Sequence, residues 1–89
     1  MKENKPKEIL QKLLDCKNLK ECYARILNFH TKILYGKRIE DDIFIYENKV
    51  KLKGYLEALA DMKIINENEK EILYLWCISV SKKEVYNIP

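Results

Sequence analysis

Residues 18–36 read NLKECYARILNFHTKILYG, and this stretch decides the fold class. At 100° per residue its apolar side chains fall on one arc of about 160°, which is typical of an amphipathic helix. The arc comprises Leu19, Cys22, Tyr23, Ile26, Leu27, Phe29, His30, Ile33 and Leu34. Asn18 and Glu21 have capping-box spacing, and Gly36 stands where a left-handed cap would end a helix. The stretch therefore predicts a helix over residues 19–35.

The segment before this helix carries its own helical signals. Pro6 suits the first turn of a helix, because its missing N–H would have no partner there. Apolar side chains then recur on one face through residues 5–16, and residues 15–18 have the composition of a tight turn. We expect a short first helix that leads through this turn into the second.

The end of the chain predicts another helix. Two pairs of residues have capping-box spacing at its start: Asn66 with Glu69, and Asn68 with Glu71. The apolar side chains of residues 72–78 point all round the helical wheel. This segment is expected either to be buried at the centre of the fold or to be covered by another molecule.

Residues 39–54 fit two structures. Residues 43–52 could form a β-hairpin, because the run 43–46 is rich in β-branched and aromatic residues and residues 50–53 alternate. A helix is favoured, because Asp41 and Asp42 would suit its start. Its apolar arc would comprise Leu52, Tyr55, Leu56, Leu59 and Met62. A break at Gly54 is allowed for.

Composition places the chain among soluble globular proteins. It has 89 residues, of which 47% are hydrophobic and 35% charged. This length suits one domain over residues 1–89, and no apolar run approaches the roughly 20 residues that a membrane span needs. Three cysteines without paired spacing, and no secretory leader, predict a cytoplasmic location. We predict an all-α bundle of about four helices, with an α+β fold containing the hairpin as the alternative.

No catalytic, cofactor or metal motif stands out. His30 is the single histidine and lies in the middle of an apolar arc, so a core role is expected. Cys22 and His30 would lie about 12 Å apart along a helix, too far to share a metal ion. Cys77 with His30 lacks any motif of a nucleophilic pair. We predict a protein that is not an enzyme and has no cofactor, metal or small-molecule ligand.

Charge is unevenly distributed along the chain. Residues 1–38 contain ten Lys or Arg and four Asp or Glu, whereas residues 39–71 contain five and nine. The two regions could neutralise each other, or a basic face could meet an acidic partner. The candidate nucleic-acid contacts on the second helix are Lys20, Arg25, Lys32, Lys37 and Arg38. The alternative function is accordingly a helix-turn-helix-like DNA-binding regulator.

A surplus of apolar side chains gives the leading functional hypothesis. Ile43, Tyr46 and Val50 would form a second stripe on the third helix, and Trp76 lies in the apolar segment near the end. Exposed apolar patches on small proteins mark contacts with partners. We predict an interaction or regulatory protein of bacterial or phage type, which binds a protein partner or itself through these four residues and not a membrane.

Overall fold

The computed structural model describes residues 5–79, and 87% of these residues are helical. The helices are α1 (Lys5–Asp15), α2 (Lys20–Arg38), α3 (Asp42–Asp61) and α4 (Glu67–Ile78), with a 3₁₀ turn at Lys17–Leu19. No strand occurs within the described range, and residues 43–52 lie inside α3. The all-α prediction is confirmed, and the hairpin alternative is wrong. The ends of the predicted single domain, residues 1–4 and 80–89, lie outside the described residues.

The starts of α3 and α4 are fixed by side-chain caps. The Asp41 carboxylate accepts a hydrogen bond from the Phe44 backbone N–H at 3.0 Å. At α4 the Asn66 side chain accepts from the Glu69 N–H at 2.7 Å, and the Glu69 carboxylate accepts from the Asn66 N–H at 3.0 Å. Each cap satisfies N–H groups that have no partner within the helix. Of the two predicted boxes, the Asn66–Glu69 pair forms the cap.

Glu69 also joins α4 to α1. The Lys12 ammonium donates to its carboxylate at 2.7 Å, and this hydrogen bond is the main reason that the pKa of Glu69 lies below its ordinary value. The Glu69 side chain is largely covered, while that of Lys12 is exposed. A single carboxylate thus serves both the cap of α4 and the packing of α1 against it.

The ends of α2 differ from those predicted. Asn18 lies in the 3₁₀ turn, which the Leu19 N–H closes by donating to the Cys16 carbonyl at 2.9 Å. Leu19 therefore stands at the start of α2, where no side chain caps the helix, and the Asn18–Glu21 box does not form. At the other end α2 continues past Gly36, and the left-handed residue is Glu40, with φ of 58°.

Gly36 is needed for packing, not for ending the helix. It is buried, and a Cβ placed there would lie 2.7 Å from Ile45 Cγ1 and 2.9 Å from Phe44 Cδ2. Both atoms belong to α3, so the missing side chain lets α2 and α3 approach closely. Gly54 has the opposite surroundings, because a Cβ there would meet no atom within 4 Å. The helix passes through Gly54 without the break that was allowed for.

These two helical glycines predict stability changes of opposite sign. Gly54→Ala should raise the free energy of unfolding by about 0.5–1 kcal/mol, because alanine favours the helix and meets nothing. Gly36→Ala should lower it by about 1–2 kcal/mol, because overpacking against Ile45 and Phe44 outweighs the same helical gain. Urea unfolding followed by circular dichroism measures both. Stabilisation by Gly36→Ala would contradict the close approach of α2 and α3.

All four helices and the α3–α4 connection contribute to one buried cluster. Its members are Ile9, Leu10, Leu13, Ile26, Ile33, Leu52, Leu56, Leu59, Ile65, Leu73 and Cys77. α2 packs against each of the other helices, whereas α3 packs against α2 and α4. Met62 was predicted to share the α3 arc but is 61% exposed, because it follows the last residue of the helix. Within residues 5–79, none of the helices combines the length and apolarity that crossing a bilayer requires.

Candidate protein-binding surface

The exposed side of α3 carries a row of large apolar side chains. Ile43 is 73% exposed, Tyr46 68% and Val50 53%. Their spacing of three and then four residues confines them to an arc of about 60° on the helix. We call these three residues the α3 stripe. Contiguous exposed apolar patches on a small monomer are often functional.

The α3 stripe stays uncovered because α3 already uses its other side. Leu52, Leu56 and Leu59 are fully or almost fully buried, and they face the neighbouring helices α2 and α4. The centre of the α3 stripe lies roughly opposite these leucines on the helical wheel. A helix that is apolar on both sides can bury only one side within a bundle of this size. The second side is then available to another molecule.

Charged side chains border the α3 stripe, and their sign changes along the helix. Asp42 and Glu47 lie near the start of α3, Lys51 and Lys53 near its middle and Glu57 near its end, and all five are exposed. Acidic groups at the start of a helix also interact favourably with its dipole. The surface is therefore an apolar row with acidic ends and a basic middle.

Trp76, the fourth predicted interface residue, lies elsewhere. It is half-buried on α4, and its indole stacks on the His30 imidazole of α2, with ring centroids 4.1 Å apart and 19° between the planes. Trp76 therefore packs between α4 and α2, away from the outward side of α3. His30 was expected in the core, but it is half-buried beneath this ring. Helical periodicity alone gives no signal for such a pair between helices.

The five basic residues proposed for nucleic-acid contact do not all lie on one exposed surface. Lys20, Arg25, Lys32 and Arg38 are exposed on α2. Lys37 instead turns toward α4, where its ammonium donates to the Ile78 carbonyl at 2.7 Å. This bond satisfies a backbone acceptor in the last turn of α4.

Arg25 has neighbours of its own on the α2 surface. Its Nε lies 4.0 Å from a Glu21 carboxylate oxygen, and its guanidinium lies 6.0 Å from the centre of the Tyr55 ring. The carboxylate of Glu21 partly offsets the positive charge at this point. The outward side of α2 is therefore of mixed charge, with Lys20, Lys32 and Arg38 as its other cations.

The titratable groups in the interior bear on reactivity. Burial raises the pKa of the Cys77 thiol to about 12, so the thiol stays protonated at neutral pH. Burial, and then a hydrogen bond with Cys22, raise the pKa of Tyr55 well above its ordinary range. Cys16 is exposed and Cys22 half-buried. Over the described residues, no three or more His, Cys, Asp or Glu side chains are grouped so that they could hold a metal ion.

The fold and this surface together define a small all-α bundle with an outward-facing apolar helix side. Comparisons with protein-family models, curated proteins and solved structures found no match to the chain. The physical chemistry of the α3 stripe and of the charges beside it supplies the functional argument.

Proposed function

We propose that the chain is a small non-enzymatic interaction or regulatory protein that binds protein through the α3 stripe. The observation that carries this proposal is the exposure of Ile43, Tyr46 and Val50 on one side of a helix whose other side forms the core. A regulator or inhibitor of the kind encoded in bacterial or phage genomes fits the small size of the chain.

The size of the α3 stripe sets the strength of binding that it can support. Covering a large apolar side chain gains about 1.5–3 kcal/mol, so the three side chains together gain at most about 9 kcal/mol. Association costs about 4–15 kcal/mol in lost translational and rotational freedom. Burial of a similar area on the partner, together with contacts to the flanking charges, must supply the rest of the binding free energy. We expect binding of moderate strength, with Tyr46 as the anchor because tyrosine is enriched among residues that dominate interfaces.

A photocrosslinking experiment tests this proposal directly. A benzophenone amino acid replaces Tyr46 in one variant and Lys32, exposed on α2, in a matched control. After irradiation in nuclease-treated lysate of the source organism, position 46 should form adducts with protein that position 32 does not form. Equal adducts at both positions, or none at position 46, would contradict binding through the α3 stripe.

DNA binding by the outward side of α2 is the second candidate, favoured by the exposure of Lys20, Arg25, Lys32 and Arg38. Contacts from such cations to phosphate release counterions, so the affinity should fall steeply with salt. Fluorescence anisotropy with a labelled duplex at 50 and 200 mM salt measures this dependence. Lys32→Ala should weaken the binding, and the absence of binding at the lower salt would exclude this candidate.

A further inference from the structure

The charges along α3 indicate which partner its exposed side fits. At 100° per residue, Asp42 and Lys53 lie on one flank of the α3 stripe, within about 20° of each other. Glu47 and Lys51 lie on the other flank, within about 40° of each other. On each flank the acid precedes the base along the chain. At Asp42 and Lys53 the surface is therefore complementary to its own reversed copy.

We infer that the α3 stripe binds a second copy of this chain, with the two α3 helices antiparallel about a two-fold axis at the level of residue 48. This inference rests on the proposed function, because it identifies the occupant of the same surface. A two-fold axis of this kind brings the same flank of both helices together while it reverses their direction, and it makes the contact self-complementary.

The geometry of this pair follows from the rise of the helix. With the axis at the level of residue 48, Asp42 of one copy lies within about 1.5 Å, along the helix, of Lys53 of the second copy. Glu47 lies within about 3 Å of the levels of both Lys51 and Glu47 of the second copy, so attraction and repulsion offset each other there. Symmetry repeats the Asp42–Lys53 ion pair, which gives two between the two copies.

A parallel arrangement would have the opposite electrostatic effect. A parallel two-fold pair would bring opposite flanks together and place Lys53 of one copy within about 3 Å, along the helix, of the level of Lys51 of the second copy. Like charges at this distance repel. The charge order on α3 therefore selects the antiparallel direction.

The apolar side chains also lie opposite one another across this two-fold axis. Tyr46 of one copy would lie opposite Val50 of the other, since residue 48 is their midpoint. Ile43 would lie over Gly54 of the second copy, where a Cβ would meet no atom within 4 Å. Gly54 thus leaves room for a large side chain at each end of the contact. The contact is limited to one helix per copy, so we expect a dimer that forms in the micromolar to millimolar range.

Charge reversal tests this arrangement in solution. Asp42→Lys and Lys53→Asp should each weaken the dimer about tenfold or more, because each places like charges at two symmetric positions. Mixing the two variants should restore pairing, and so should the double variant. Sedimentation equilibrium from about 5 μM to 1 mM measures these constants at low salt, where ion pairs contribute most. Lys32→Asp, with the same charge change on α2, should leave the dimer unchanged.

Three outcomes would overturn the inference, and they separate it from the proposed function. If the wild-type chain stays monomeric at 1 mM while position 46 crosslinks other proteins, the inference of a second copy is overturned. The proposed function is not overturned by that result. A monomer without such crosslinks overturns both the inference and the proposed function. A dimer that neither reversal weakens overturns the antiparallel pairing. Thermal unfolding of every variant confirms that the compared chains are folded.

Discussion

Replacing Ile26 with alanine is expected to lower the free energy of unfolding by about 2–5 kcal/mol. Ile26 is 0% exposed and belongs to the buried cluster that all four helices share. It lies on α2, which, like α4, packs against each of the other helices, so a cavity there touches the centre of the bundle. A chain of this length has a total stability of roughly 4–13 kcal/mol. The substitution should therefore remove a large share of it.

Urea unfolding at 222 nm measures this loss, and Lys32→Ala is the control. Lys32 lies on the exposed side of the same helix, and its truncation should change the free energy of unfolding by less than about 0.5 kcal/mol. Equal shifts of the two midpoints would mean that the side of α2 assigned to the core is wrong.

The fold class was predictable because its signals are local. The apolar arc of α2 and the Asn66–Glu69 box depend on residues within one helix. The preference for a helix over residues 43–52 likewise came from the acidic start and the spacing of the later leucines. Such signals act before any tertiary contact forms, so they can be read from the order of the residues alone.

Two of the errors arose where tertiary contacts override local preference. Glycine is typical of a helix cap, but Gly36 lies inside α2, where Phe44 and Ile45 of α3 approach it closely. Lys37 looked like part of a basic surface, but it reaches the carbonyl of Ile78, which is 41 positions away in sequence. Neither contact has a signature in the neighbouring residues.

The candidate site, too, could be predicted from the sequence only in part. The spacing of Ile43, Tyr46 and Val50 was enough to place them on one side of α3, because helical geometry fixes that relation. The position of Trp76 depends on how α4 packs against α2, and its stacking on His30 shows only in three dimensions. The role of all four residues in binding stays a prediction.

Replacing Tyr46 with alanine is expected to weaken self-association strongly while the monomer stays stable. An anchoring tyrosine contributes more than about 1 kcal/mol, and in a symmetric dimer the substitution occurs twice. The dissociation constant should therefore rise more than about 20-fold. The monomer should lose little, because the side chain is 68% exposed. Alanine also favours the helix slightly more than tyrosine does. Sedimentation equilibrium and thermal unfolding at low concentration measure the two effects separately.

Tyr35→Ala provides the matched control, because Tyr35 is also an exposed tyrosine but lies on α2. Its ring meets the edge of Phe44 with centroids 6.0 Å apart, so its loss should cost about 0.5–1.5 kcal/mol of stability. It lies away from the α3 stripe, and the dimer constant should not change. The two variants should thus show opposite patterns, with association lost in one and stability lost in the other. If Tyr46→Ala unfolds the chain, or leaves association intact, the α3 stripe is not the binding surface.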